Sequence, residues 1–250
     1  MPYAENQGVR IHYRVPGAGP PLVLQHGFTD SLESWRELGY VAALSPHYRL
    51  ILIDARGHGA SDKPHDPAAY ELNKRAGDVV AVLDALEIQR AHFWGYSMGG
   101  WIGFGLAQFA PERIDRLVIG GQHPYARQME GFRQTCRIGI ADGGNAFAAA
   151  VEAAFGTMWP GYMSRNLSAD FHAYLAVAQD RPSIEHILPG MSMPCLLYAG
   201  DADPLHSGAE QASKRIPQAI FVSLPSLGHA AAMIRSDLVV PKVVPFLRGS

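Results

Sequence analysis

The chain has 250 residues, of which 48% are apolar, and its formal net charge at pH 7 is −2. This composition can bury a substantial core, and it excludes a basic nucleic-acid-binding face or a polybasic membrane patch. No run approaches the ~20 apolar residues of a membrane span, and the first six residues lack the basic-then-apolar pattern of a secretory signal. We therefore expect a cytoplasmic protein of one domain, residues 1–250, with no nucleic-acid or membrane partner. The two cysteines predict no disulfide framework.

Short apolar runs alternate with helical patterns, which is typical of an α/β protein with a mostly parallel sheet and helices on both faces. Residues 9–15 alternate at period two and predict an antiparallel edge strand. The apolar runs predict further strands at 21–25, 48–53, 92–96, 116–120, 194–199 and 219–224. Residues 76–86 and 98–109 predict helices. Between 123 and 189 the alternation stops, and helices are predicted at 146–158 and at 169–179, the second capped by Ser168.

The strand at 92–96 breaks into a helix through Gly95-Tyr96-Ser97-Met98-Gly99, which has the G-x-S-x-G pattern of a nucleophile elbow. A serine at such a turn adopts a strained backbone conformation, and the two glycines leave room where a Cβ would clash. The pattern predicts that Ser97 is a nucleophile.

An elbow serine needs a histidine base and an acid, which follow it in the chain in the order acid, then histidine. Asp201 and Asp203 follow the strand at 194–199, and His229 lies in the loop after the strand at 219–224. A neutral imidazole must take the serine proton, and a carboxylate must orient that imidazole. His229 is therefore the predicted base, while either aspartate could be the acid on position alone.

Two backbone N–H groups are also needed to bind an oxyanion. The loop after the strand at 21–25 presents the Phe28 amide, and the Met98 amide follows the nucleophile. His26 lies in the same loop, where we expect it to brace the backbone by hydrogen bonds.

On these motifs the chain resembles the α/β-hydrolase superfamily, in the group with an HGF-type oxyanion loop and a GYSMGG elbow. The resemblance implies that the D-x-R-G-x-G-x-S segment at 54–61 is a structural hydrogen-bond network. It also implies a G-x-x-D turn, which selects Asp203 over Asp201. Some relatives carry the acid after the strand at 116–120, but no carboxylate follows it here.

Relatives place a helical cap where residues 123–189 lie, and this segment supplies seven large apolar side chains: Phe132, Phe147, Phe155, Met158, Trp159, Tyr162 and Met163. Such residues form either a core or a substrate pocket. The predicted substrate contacts are Trp101, Phe132 and Trp159, in an apolar pocket of modest size.

The sequence thus predicts a serine hydrolase that cleaves small carboxylic esters, and lactones as a further class, through an acyl-enzyme without metal or cofactor. Thioesters, amides and carbon–carbon bonds stay open because the same three residues serve all of them. A menaquinone-pathway synthase-like lyase is the main alternative, but that pattern has an arginine where Trp101 stands. Perhydrolysis is a further side activity to test. A non-catalytic binding module usually has a damaged triad, whereas this one is intact. The oligomeric state stays open.

Overall fold

The computed structural model describes residues 2–249, and an eight-stranded sheet forms its centre. The strands are β1 (Tyr3–Asn6), β2 (Val9–Arg14), β3 (Pro21–Gln25), β4 (Arg49–Ile53), β5 (Ala91–Tyr96), β6 (Ile114–Gly120), β7 (Cys195–Gly200) and β8 (Ala219–Leu224). Their order across the sheet is β1-β2-β4-β3-β5-β6-β7-β8. The pairs β1/β2 and β2/β4 are antiparallel, and all others are parallel. The predicted α/β class with a mostly parallel sheet is confirmed.

The N-terminal edge differs from the prediction, because the edge strand is β1 and not β2. The two strands are joined at Gln7 and Gly8, which both have positive φ, 54° and 77°. A two-residue turn of this kind matches the twist of a hairpin and returns the chain alongside itself. The edge prediction for residues 9–15 was wrong because β1 is too short to show a clear alternation.

Helices cover both faces of the sheet. They are α1 (Glu33–Glu37), α2 (Tyr40–Leu44), α3 (Leu72–Ala85), α4 (Met98–Phe109), α5 (Glu130–Asp142), α6 (Gly144–Phe155), α7 (Pro160–Asn166), α8 (Phe171–Val177), α9 (His206–Ser213), α10 (His229–Ile234) and α11 (Ser236–Arg248), with 3₁₀ turns at Pro67–Tyr70, Pro111–Arg113 and Glu185–Gly190. Helices α3, α4 and α9 bury their apolar sides on one face, and α1, α2, α10 and α11 on the other. Successive side chains of a strand point to opposite faces, so Phe93 enters the first core and Trp94 the second.

Helices α5 to α8 lie between β6 and β7, within the segment 123–189, and we call that segment the cap. Their inward side chains form a cluster of their own: Cys136, Phe147, Val151, Tyr162, Phe171 and Tyr174. Of the predicted cap helices, 146–158 corresponds to α6 and 169–179 to the shorter α8. The predicted Ser168 cap is wrong, because Asp170 accepts the N–H of Ala173 at 3.0 Å and starts α8 two residues later.

Within residues 2–249, no helix is both long enough and apolar enough to cross a membrane.

Candidate active site

Ser97 lies at the corner between β5 and α4, with φ 51° and ψ −111°. The corner is so tight that a Cβ on Gly95 would lie 2.2 Å from the Gly99 oxygen, and one on Gly99 would lie 2.0 Å from the Gln25 oxygen. Only glycine fits at both positions. The turn therefore has the strained geometry expected of a nucleophile elbow.

His229 begins α10 and faces this corner. Its Nε2 lies 2.9 Å from Ser97 Oγ, and its Nδ1 lies 2.7 Å from Asp203 Oδ2. With a carboxylate at Nδ1, the neutral ring carries its proton there and leaves Nε2 free to accept from the serine hydroxyl. The Tyr96 hydroxyl donates to the His229 carbonyl oxygen and fixes the backbone of the histidine. The structure thus brings the three predicted side chains into one hydrogen-bonded chain.

Asp203 follows β7, and its side chain is fully buried. Burial raises the pKa of a carboxyl, but the hydrogen bond and charge of His229, the Leu205 N–H and the charge of Arg127 outweigh it. The pKa of Asp203 is consequently below its usual value, so the group is a carboxylate at neutral pH. Asp201 is exposed and instead accepts the Ser226 N–H at 2.8 Å, which closes the adjoining turn.

The two predicted oxyanion donors are both unengaged. Within the described residues 2–249, neither the Phe28 N–H nor the Met98 N–H donates a hydrogen bond. The loop that carries Phe28 approaches the elbow closely, since a Cβ on Gly27 would lie 3.5 Å from Ser97 Cβ. Backbone N–H groups near a nucleophile that lack an acceptor are the donors that an oxyanion hole requires.

His26 holds this loop in place, as expected of a structural residue. Its Nδ1 donates to the Gly27 oxygen at 2.7 Å, and its Nε2 accepts the Ala55 N–H at 3.0 Å. Both ring nitrogens are engaged with backbone, so the ring has no free nitrogen with which to take a proton from a substrate.

The segment 54–61 lies beneath the loop and forms a buried network. Asp54 accepts the N–H groups of Leu32 and Ala60 at 2.8 and 2.9 Å, and Arg56 forms an ion pair with Asp78. His58 accepts the Thr29 N–H at 3.1 Å, and burial lowers the pKa of this histidine well below its usual value. The network orients the oxyanion loop and does not contact Ser97.

A cavity of about 70 Å³ opens over Ser97 and His229. Five of the seven apolar cap residues noted in the sequence line it: Phe132, Phe155, Met158, Trp159 and Tyr162. Phe147 instead packs inside the cap, and Met163 packs against the same cluster. The predicted substrate contacts Phe132 and Trp159 are thus placed at the cavity.

Trp101 does not line the cavity over Ser97, so its prediction as a substrate contact is corrected. Its side chain is buried on the other side of α4, where it lines a second cavity beneath the guanidinium of Arg181. Helical spacing places residue 101 one turn after Ser97, and its N–H does donate to the Ser97 oxygen at 3.0 Å. The serine side chain, however, leaves the corner at a positive φ and does not share the helix face of Trp101.

Gln122 is a site residue that the sequence did not reveal. Its Nε2 donates to the Ser97 oxygen at 3.1 Å, and its Oε1 accepts the His123 N–H at 2.9 Å. The amide therefore ties the elbow to the loop after β6. The signal available in the sequence was its position, because β6 pairs directly with β5 and the two loops are neighbours.

Among residues 2–249, no group of three or more histidine, cysteine, aspartate or glutamate side chains could hold a metal ion.

The chain belongs to the α/β-hydrolase fold family, whose model matches residues 20–170. It is similar to a hydrolase from Pseudomonas aeruginosa PA01, with a TM-score of 0.88, 28% identity, and coverage of 98% of this chain and 97% of that one. It is also similar to the enol-lactonase from Burkholderia xenovorans LB400, with a TM-score of 0.86, 30% identity, and coverage of 99% and 100%. The resemblance inferred from the motifs is confirmed.

Among curated proteins, the chain is 35% identical over 155 residues to the putative carbamate hydrolase RutD of Azorhizobium caulinodans. That alignment covers 60% of this chain and 56% of the relative, so the chain spans about half the length of that protein.

Proposed function

We propose that the chain is a serine hydrolase that cleaves small, uncharged carboxylic esters, lactones included, through an acyl-enzyme. The observation that carries the proposal is the chain of hydrogen bonds from Ser97 Oγ through His229 to Asp203, with Ser97 and His229 lining a mostly apolar cavity. Similarity to a named enol-lactonase and a putative carbamate hydrolase supports acyl chemistry of this kind.

Acylation follows from the geometry. His229 Nε2 accepts the Ser97 proton as Oγ attacks the ester carbonyl carbon, and the imidazolium that forms is stabilised by the Asp203 carboxylate. The carbonyl oxygen becomes an oxyanion and accepts the Phe28 and Met98 N–H groups, each worth about 3 to 4 kcal/mol in the transition state. As the tetrahedral intermediate collapses, Nε2–H gives its proton to the leaving alcohol. Deacylation repeats these steps with water as nucleophile, and Ser97 recovers its proton.

The volume and the lining of the cavity determine the size and charge of the expected substrate. A water molecule needs about 15 Å³ of such volume, so about 70 Å³ holds some five water-sized spheres, enough for a short acyl group. In the described part of the chain, no lysine or arginine lines this cavity. A carboxylate on the substrate would be desolvated there without a countercharge, which disfavours the lyase alternative and its anionic substrate. Residues 123–189 act in this proposal as the cap that closes the site, and the chemistry needs no metal or organic cofactor.

The experiment is a panel of p-nitrophenyl esters with acyl chains from two to twelve carbons, run beside a lactone, a thioester, an amide and a peroxide-dependent assay. We expect kcat/KM to be highest for the two- to four-carbon esters. Ser97→Ala and His229→Ala should each lower kcat by on the order of 10⁴-fold, since the groups act as a unit. Ser207→Ala, a matched serine change on the exposed face of α9, should leave it unchanged.

A fluorophosphonate probe should label the wild type and Ser207→Ala but not Ser97→Ala. Near-normal ester turnover by a folded Ser97→Ala protein contradicts the mechanism. Faster turnover of the thioester or amide than of every ester contradicts the substrate class and leaves the nucleophile assignment standing.

A further inference from the structure

A second cavity, of about 390 Å³, lies between α3, α4 and the segment that follows α8. Neither Ser97 nor His229 lines it. Its walls combine the rings of Trp101 and Phe109 with the guanidinium groups of Arg75 and Arg181. We call it the arginine cavity. It is several times larger than the cavity over Ser97, and the proposed reaction does not use it.

Both arginines are buried, with 6% of Arg75 and 9% of Arg181 exposed. Each guanidinium lies over an aromatic ring, Arg75 over Tyr70 and Arg181 over Trp101, both at 5.5 Å. These contacts hold the two cations in fixed positions at the cavity wall. The rings contact the planar faces of the two guanidinium groups, but a ring in this position accepts no hydrogen bond from the N–H groups at the guanidinium edges.

The N–H groups are incompletely bonded. Arg75 Nη2 donates to the Val177 oxygen at 3.1 Å, while its Nε is buried and has no acceptor within residues 2–249. Arg181 Nη1 is likewise buried without an acceptor, and no side-chain hydrogen bond of Arg181 is formed with any other described residue. Gln108 Oε1, in the same wall, is buried without a donor.

Neither arginine has an acid partner in the part of the chain that the structure describes. Two carboxylates line the cavity, but both are engaged elsewhere: Glu71 pairs with Lys74 at 3.3 Å, and Asp180 with Arg133 at 2.8 Å. Burial and the neighbouring positive charges lower the pKa of Arg181 well below its usual value, and burial lowers the pKa of Arg75 to about 10. Asp78 lies close enough to act on Arg75 but pairs with Arg56. Two desolvated like charges without a direct ion pair are costly, and an anion between them would offset that cost.

We propose that the arginine cavity binds a small organic carboxylate, with its carboxylate on Arg75 and Arg181 and its apolar body against Trp101 and Phe109. The planar fork of a guanidinium matches the two oxygens of a carboxylate. The aromatic walls favour an organic anion over a bare inorganic one, because inorganic phosphate would leave the rings uncovered. The bound anion would join α3 and α4 to the end of the cap, since Arg75 already contacts the last residue of α8.

The test measures binding of sodium benzoate to the intact protein by calorimetry, with benzamide as the uncharged analogue, phosphate as the inorganic anion and sodium chloride as the ionic-strength control. We expect benzoate to bind at least about tenfold more tightly than benzamide or phosphate, a difference of ~1.4 kcal/mol or more. Arg181→Gln and Arg75→Gln should weaken benzoate binding by about tenfold or more. Arg116→Gln is the matched control, because Arg116 lies over the Phe246 ring at the same 5.5 Å but outside the cavity.

Thermal unfolding separates a ligand site from a structural role. Without ligand, Arg181→Met should unfold at the same temperature as the wild type or higher, because it removes an uncompensated buried charge. Benzoate should raise the unfolding temperature of the wild type and of Ser97→Ala but not of Arg181→Met. The proposal is overturned if benzoate binds no better than benzamide, if only phosphate binds, or if the arginine variants retain wild-type affinity. The Ser97→Ala arm keeps this result independent of the proposed ester hydrolysis.

Discussion

Asp203 Oδ2 lies 2.7 Å from His229 Nδ1, whereas Asp201, two residues earlier, turns its carboxylate to the N–H of Ser226. The same short loop therefore holds one acid in the chain of hydrogen bonds from Ser97 and one that closes a turn. The G-x-x-D pattern in the sequence favoured Asp203 as the acid that orients His229. Substituting each aspartate in turn separates the two roles.

Asp203→Asn should lower kcat/KM on a fast p-nitrophenyl ester by roughly 10³- to 10⁴-fold, because an amide leaves His229 free to adopt the wrong tautomer. Asp201→Asn should cost less than about tenfold, which is ~1.4 kcal/mol of barrier. Steady-state kinetics on the two purified proteins show which aspartate orients His229. If Asp201→Asn is the impaired variant, the acid has been assigned to the wrong residue.

The lowered pKa of Asp203 predicts a pH dependence of stability. A carboxyl whose pKa is lower in the folded state contributes stability above its unfolded pKa of about 3.9, and loses it as the pH falls through the folded value. The free energy of unfolding of the wild type should therefore fall more steeply below about pH 4 than that of Asp203→Asn. Urea denaturation at intervals from pH 7 to pH 3 measures both curves. Parallel curves would show that Asp203 contributes nothing to acid stability.

Gly99→Ala should prevent correct folding of the elbow, because the new Cβ would lie 2.0 Å from the Gln25 backbone oxygen. Overpacking against backbone costs at least about 1 to 3 kcal/mol, and labelling by a fluorophosphonate should be lost with it. Gly131→Ala is the control, since its Cβ meets nothing within 4 Å and it lies in α5. The control should be as stable as the wild type or gain about 0.5 to 1 kcal/mol. A fully labelled, stable Gly99→Ala protein would disprove the proposed steric requirement.

Phe155→Ala should shift the preferred acyl chain to greater length. Phe155 lines the cavity and stacks on Phe132 with a centroid distance of 5.3 Å, so its removal enlarges the space beside His229. The ratio of kcat/KM for an eight-carbon over a two-carbon ester should rise by about tenfold, equivalent to ~1.4 kcal/mol. Leu167→Ala, an exposed apolar change just after α7, should leave the ratio unchanged. An equal shift in both variants would mean that the cap as a whole, and not the cavity wall, was altered.

Local sterics made the elbow predictable from sequence. Gly95, Ser97 and Gly99 form one strand-to-helix corner whose geometry allows few residue types, and the pattern is complete within five residues. The positions of the acid and base at strand ends followed from the alternation of strands and helices. These features depend on neighbours in the chain, which a single sequence displays.

The position of Trp101 was not predictable in the same way. Its distance from Ser97 along the chain is one helical turn, but the side on which it lies depends on the left-handed backbone at Ser97 and on where Arg181 arrives from the cap. Gln122 was missed for a related reason, since its hydrogen bond to the Ser97 oxygen joins two loops across the sheet. The sequence predicted Ser168 as the N-cap of α8, whereas the structure has Asp170. Both residue types suit an N-cap, and the sequence did not show at which residue the helix begins.

The two ends of the cap are tied to each other by backbone hydrogen bonds. The backbones of Arg127 and Arg181 exchange two hydrogen bonds of 2.9 Å, so the two ends of the cap lie side by side, and its apolar cluster is largely its own. Because its ends are adjacent and its interior packs largely on itself, we expect the cap to tolerate replacement as a unit. A foreign helical cap grafted between those two positions would bring a new cavity wall, while the corner at Ser97 would keep its shape, because the glycines of the elbow and the hydrogen bond from Gln122 lie outside the cap helices.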